Sequence, residues 1–221
     1  MKKMILNVPL IRQEKDTYVC VLAALSMILQ FHGRNASIAD LERDEDAKLT
    51  DLGAIGTYLL KNDFDAEVVM FHPRLFTNRD RGKSRAELIE HFRARMGHED
   101  NMKWDDDILR YLIKFLELGG KVTVSIPDED HIREEIEAGR PLLVTTDTNF
   151  LNGKEAKYYL HANVITGIDE EYIYVNDSLW DERGGHHRYR REEFMFGVHI
   201  ATHGNFNNGS LMKVKPNGGR D

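Results

Sequence analysis

Val8 to Gly33 reads VPLIRQEKDTYVCVLAALSMILQFHG and holds the single cysteine of a 221-residue chain. From Val21 on, the apolar residues Val21, Leu22, Leu25, Ile28 and Leu29 recur with the 3.6-residue period of one helix face, among good helix formers. The pattern predicts a central helix from about Tyr18 to His32, stopped by Gly33. Cys20 falls where that helix begins, after the polar run from Gln13 to Thr17. A thiol placed there faces unpaired N–H groups and the positive end of the helix dipole, and both favour the thiolate. A lone free cysteine more often packs as a small hydrophobe. A histidine and an acid in matching positions further along turn the reading toward chemistry.

The rest of the chain sets bounds. With 41% hydrophobic and 30% charged residues it has the composition of an ordinary globular protein, long enough for one domain or two small lobes. A net charge of −7, from 30 basic and 37 acidic residues, gives no reason to expect nucleic acid or an anionic membrane as partner. One cysteine excludes an internal disulfide, which suits a reducing compartment. The apolar run in MKKMILNVPLI is too short for a signal peptide, and no stretch is long enough to span a bilayer. These features predict a cytoplasmic protein.

Local signals place the elements. A short entry strand is expected over residues 5–10. Ser37 with Asp40, and Ser84 with Glu87, have the spacing of capping boxes, and Thr50-Asp51 opens a helix carrying Ile55, Leu59 and Leu60. Strands are expected at 66–71 and 121–126, with helices at 105–118 and 128–138. The character changes near Gly139. Residues 141–146, 161–168 and 172–176 read as strands, the last two joined by the hairpin turn Asp169-Glu170-Glu171, and 198–202 and 211–215 are further strand candidates. The front half, about 1–138, is therefore expected to be a helical lobe and the back, about 139–216, an antiparallel sheet lobe, with a cleft between them in one α+β domain.

Nucleophilic thiol catalysis needs a thiolate, a base, a group orienting the base, and donors for the oxyanion. His161 opens one strand of the back-half hairpin and Asp177 closes the next, so both lie at its open end and their side chains can meet. The carboxylate would then fix the imidazole tautomer and support its cation. Tyr158 and Tyr159, just before His161, are candidates to line a substrate groove, although half-buried strand residues have the same appearance. Trp180, three residues past Asp177, is placed either to shield the His–Asp pair or to fill core. His186, His187, His199 and His203 fit no established zinc spacing and read as solvated loop histidines, so no metal or other cofactor is expected. The acidic runs Asp105–Asp107 and Asp128–Asp130 precede helices, where they complement the dipole.

The chain resembles the C39-like peptidases, a branch of the papain-like cysteine proteases. The likeness lies in Val8-Pro9, Gln13, the block from Cys20 to Leu29 (CVLAALSMIL) and Gly33. Later it lies in Ala138-Gly139-Arg140-Pro141, the block from His161 to Asp169 (HANVITGID), Tyr172 to Asp177 (YIYVND) and Glu193-Phe194. It covers both ends and leaves residues 70–135 unaccounted for. The resemblance implies a papain-like fold, a peptide or protein substrate, Cys20 as nucleophile, His161 as base, Asp177 as its orienter and Gln13 as oxyanion donor. Val21 and Leu22 stand where the family has Gly and Pro, and Gln13 stands one residue further from the cysteine. A side chain at Val21 is expected to line the cleft beside the nucleophile. The expected reaction is hydrolysis of a peptide or amide bond through a thioester. The alternatives are an amidase or acyltransferase using the same residues, and a C39-like domain that grips peptides with impaired turnover.

Overall fold

The structure is a computed structural model and describes residues 3–155 and 160–218. Its helices are α1 (Cys20–Phe31), α2 (Ile38–Arg43), α3 (Leu52–Lys61), α4 (Arg85–Arg95), α5 (Asp105–Glu117), α6 (Glu129–Glu137), α7 (Thr148–Leu151) and α8 (Arg191–Ile200). Its strands are β1 (Met4–Ile5), β2 (Phe64–Met70), β3 (Lys121–Val124), β4 (Leu142–Asp147), β5 (Leu160–Ile168), β6 (Tyr172–Asp177), β7 (Gly185–Arg190) and β8 (Ser210–Pro216). The strands form one sheet in the order β3-β2-β8-β4-β5-β6-β7, with β1 paired to the Ile168 end of β5. Every pairing is antiparallel except β2 with β3.

The two-residue alternation of strand side chains sorts the core into two apolar layers. Val68, Met70, Leu143, Val164 and Met212 join the residues of α1, α3, α4 and α5 on one side. Val69, Val144, Ile165, Val175 and Leu211 meet Ile132 and Ile136 of α6 and Phe194 and Val198 of α8 on the other. The architecture is a mixed α+β fold. Its larger helical layer lies against one face of the sheet.

Helix α1 is the buried centre of that layer. Eight consecutive residues, Leu22 to Leu29, are buried, so the helix is enclosed on all sides, as its near-absence of polar residues requires. The one buried hydroxyl, Ser26, donates to the Ala36 carbonyl. Gly33, at φ 78°, turns the chain out of the helix in the left-handed conformation that glycine adopts without strain.

Capping boxes form at Ser37 with Asp40 and at Ser84 with Glu87, and Asp51 caps α3 by accepting the Gly53 N–H at 3.0 Å. Gly53 also lets α3 and α5 cross closely. A Cβ there would fall 2.5 Å from the Leu112 nitrogen, so any side chain would push α5 and its Tyr111 outward.

Two expectations are corrected. The entry strand is only two residues long, because beyond Ile5 the chain keeps one sheet-like bond, Leu6 N–H to the Thr166 carbonyl, and then departs toward α1. Residues 198–202 are not a strand. They end α8 and begin a 3₁₀ turn, since Phe194, Met195 and Val198 put one helix face into the core while Glu192 and Glu193 occupy the first turn. The two strands expected in the front half are present as β2 and β3, and they extend the same sheet by pairing β2 to β8.

Candidate active site

Cys20 is the first residue of α1 and is half-buried. Its thiol hydrogen-bonds the His161 side chain, and the backbone N–H groups of Ala162 and Val21 point to the sulfur. Burial by itself raises a thiol's pKa. Here the His161 ring and these two donors outweigh it, and the thiol is held below its ordinary value.

His161 and Asp177 are both buried. Asn163 pairs with Asp177 across the β5–β6 ladder, and His161 lies two residues from Asn163, so His161 and Asp177 are diagonal neighbours on one face. His161 Nε2 lies 2.9 Å from Asp177 Oδ1, which leaves Nδ1 as the ring nitrogen for the sulfur. Burial disfavours the imidazolium, but the Asp177 hydrogen bond, followed by the contacts with Cys20, reverses this and raises the His161 pKa.

Asn176 has a different task. Its Nδ2 donates to the Val8 carbonyl at 3.0 Å, and its Oδ1 lies 2.7 Å from His186 Nδ1. It therefore ties β6 to the N-terminal segment and to β7, with its side chain on the opposite face from Asp177.

The segment before α1 braces the loop after Asp177. Arg12 Nη1 donates to the Leu179 and Asp181 carbonyls at 2.9 and 2.8 Å, and Nη2 donates to the Gly184 carbonyl at 3.2 Å. Gln13 is buried. Its backbone N–H bonds the Ser178 carbonyl at 2.8 Å, its Oε1 accepts Ser178 Oγ at 3.3 Å, and its Nε2 donates to the Thr17 carbonyl at 2.9 Å. One amide hydrogen is thus engaged within its own turn, and one remains.

Cys20, Val21, His161 and Ala162 border a cleft of about 400 Å³. Its other wall comes from segments that sequence reasoning gave no part in the site: Asp51 before α3, Trp104 just before α5, Asp107, Ile108 and Tyr111 of α5, and Asn205, Asn207 and Asn208 in the loop before β8. The legible signal was the 104, 107, 108, 111 spacing, one helix face carrying an exposed tryptophan. That these loops meet Cys20 depends on long-range packing and has no local signature.

The remaining candidates separate. Val21 lines the cleft. Tyr158 and Tyr159 lie outside the described residues. Trp180 is 38% exposed, does not line the cleft, and carries the Lys15 ammonium 5.3 Å from its ring centre. His186 bonds Asn176, His199 Nε2 lies 2.7 Å from the Pro127 carbonyl, and His203 Nδ1 lies 2.6 Å from the Ile200 carbonyl. His186 and His187 belong to strand β7 and not to a loop. Among the described residues no three metal-ligating side chains converge. Of the acidic run before α5, Asp105 pairs with Arg74, Asp106 accepts the Gly97 N–H and Asn101 Nδ2, and Asp107 faces the cleft.

Two family models match the chain: the Peptidase C39 family over residues 7–98 and the Peptidase C39-like family over 101–203. The resemblance carried by the Cys20 and His161 blocks thus holds in both halves. No curated protein matches. Similar solved structures include a protein described as a C39-like peptidase from Bacillus anthracis, 18% identical, with 97% of this chain and 98% of that one covered and a TM-score of 0.48. Another is the peptidase domain of Streptococcus ComA, a bifunctional ABC transporter of a quorum-sensing pathway, at 16% identity, 95% and 99% coverage and a TM-score of 0.45. A third is a double glycine motif protease from an AMS/PCAT transporter, in complex with its leader peptide, at 16% identity, 98% and 99% coverage and a TM-score of 0.42. Among the described residues no helix is long and apolar enough to cross a membrane.

Proposed function

We propose that the cleft beside Cys20 engages a peptide-like chain and that Cys20, His161 and Asp177 perform acyl transfer on it, in the simplest case hydrolysis of a peptide or amide bond. The observation that carries this reading is the continuous chain of contacts from the thiol to the His161 ring and from Nε2 to Asp177 at 2.9 Å. In this reading His161 Nδ1 takes the Cys20 proton, and the thiolate attacks the carbonyl carbon. The tetrahedral intermediate then expels the amine, which takes the proton back from His161, and water deacylates the thioester by the same route reversed. Gln13, through its remaining amide hydrogen, and the Cys20 N–H are the oxyanion donors. A different acceptor in the second step gives an amidase or acyltransferase with the same residues.

A second reading accounts for the family likeness as fully: a C39-like domain that grips peptide with impaired turnover. Two observations favour it. The Val21 side chain lines the cleft next to Cys20, and one Gln13 N–H is held by the Thr17 carbonyl. The test is turnover of a diverse peptide and amide library by the native chain and by Cys20→Ala, together with mass-spectrometric trapping of an acyl-enzyme. Turnover lost in the variant supports acyl transfer. Peptide binding without turnover or trapped thioester in the native chain establishes the second reading.

A further inference from the structure

The α5 wall of the cleft has a composition that the thiol chemistry does not use. Trp104, which precedes the first residue of α5, and Asp107 and Tyr111 within it are spaced i, i+3 and i+7, and all three line the cavity that holds Cys20 and His161. We infer that this face is a subsite for a cationic side chain, arginine or lysine, of the peptide whose backbone passes Cys20. The inference rests on the peptide-engaging reading above and names its substrate class.

Charge and shape converge on that occupant. Trp104 is 54% exposed, a large ring left open at the cleft rim. Its ring already takes an ammonium, since Lys103 Nζ sits 4.3 Å from its centre. A guanidinium or ammonium entering from the cleft meets the same kind of ring surface on Trp104 and Tyr111, with its methylenes against Ile108. Asp107 supplies the charge. Its present partner is Arg110 Nη1 at 2.6 Å, an exposed i,i+3 pair of the weakly stabilising kind that a better-buried cation can replace.

Asp51 lies deeper in the same cavity. Among the described residues its carboxyl is met by neutral donors, the Gly53 and Ala54 N–H groups and Asn207 Nδ2. The Asp51 and Asp107 carboxylates repel each other, and among the described residues no lysine or arginine lines the cleft. A cationic side chain relieves that repulsion. A neutral apolar one fills the space without easing the Asp51–Asp107 repulsion, and an acidic one adds to it.

The test uses the full chain with Cys20→Ala, so that binding is read without turnover. Fluorescence polarisation is measured with alanine-based octapeptides carrying one Arg, Gln or Glu at each position in turn. The expected result is one position at which the Arg peptide binds about tenfold tighter than the Gln peptide, with Glu weakest. Asp107→Asn and Trp104→Ala should each remove most of that preference, and Asp107→Lys should transfer it to the Glu peptide. All these side chains are at the surface, and circular dichroism checks the fold. Equal binding of Arg and Gln peptides, binding of none, or a preference that survives Asp107→Asn overturns the subsite. An Arg preference in a chain whose native form never turns over overturns acyl transfer and leaves the subsite standing. Turnover without Arg preference does the reverse.

Discussion

Asp177 Oδ1 lies 2.9 Å from His161 Nε2, and the same oxygen accepts the Leu179 N–H at 2.8 Å. The carboxylate is therefore fixed by the backbone that follows it before it fixes the ring. That backbone is held in turn, because the Leu179 carbonyl is one of three that Arg12 binds. The geometry at the imidazole thus depends on a loop braced from the segment that leads into α1. Residues far apart in sequence act here as one scaffold.

The first prediction separates Asp177 from its neighbour Asn176. Asp177→Ala frees the ring and removes support for its cation, and should lower turnover by a factor on the order of 10² to 10⁴. Asn176→Ala breaks the bonds to Val8 and His186 and should reduce stability by about 1 kcal/mol per lost bond, with turnover largely kept in the folded fraction. The measurement is steady-state kinetics on both variants after circular dichroism. Abolished turnover in a folded Asn176→Ala, with turnover retained in Asp177→Ala, would reverse the assignment.

Cys20 should react as a thiolate well below the ordinary thiol range, because the His161 ring and the Ala162 and Val21 N–H groups outweigh its burial. Iodoacetamide alkylation, followed by mass spectrometry across pH, should stay fast in mildly acidic solution. It should slow in His161→Ala, where the base and its charge are gone. A rate that follows an ordinary thiol titrating at about 8.5 refutes the activated pair.

How far the sequence foretold this arrangement depends on where each signal resides. The α1 helix was readable from apolar periodicity and Gly33, and the meeting of His161 with Asp177 from the length of one hairpin. Both are local facts. Strand β7 was not readable: Gly185–Arg190 (GHHRYR) has no apolar alternation, and it pairs because β6 presents an edge to it. Residues 198–202 carry β-branched side chains that suggest a strand, yet the spacing of Phe194, Met195 and Val198 against the core makes the segment helical. The segment 105–118 was expected as a helix, and its cleft-facing side could be assigned only from its close crossing with α3 at Gly53.

Gln13 gives a prediction with two separable parts. As an oxyanion donor it acts on charge present only in the transition state, so Gln13→Ala should lower kcat by about 10²-fold or more with KM nearly unchanged. As a brace between Thr17 and Ser178 it should also contribute about 1 kcal/mol to stability. Urea denaturation reads the second part and kinetics the first. A variant that loses stability but keeps kcat shows that the amide only braces the loop.

The last prediction concerns Asp51, where the cleft wall and the start of α3 coincide. Burial pushes its carboxyl up from 3.8 to about 7; bonds from Asn207 and the Gly53 and Ala54 N–H groups oppose that rise, and the Asp107 charge adds to it. In the unfolded chain the group loses its proton near pH 4, while in the folded protein it keeps it until about pH 7. Between those values the folded state binds more protons, so this group's contribution to stability is full below pH 4 and declines as pH rises, with no further change above 7. Asp51→Asn retains an oxygen to accept the Gly53 N–H and cannot titrate. Subtracting the variant's Tm against pH from that of the native chain should therefore leave a decline across pH 4 to 7, whatever the other carboxylates do. A flat difference would mean that Asp51 ionises at its ordinary value. A difference that rises with pH would mean that the carboxylate is stabilised by a cation in the folded protein.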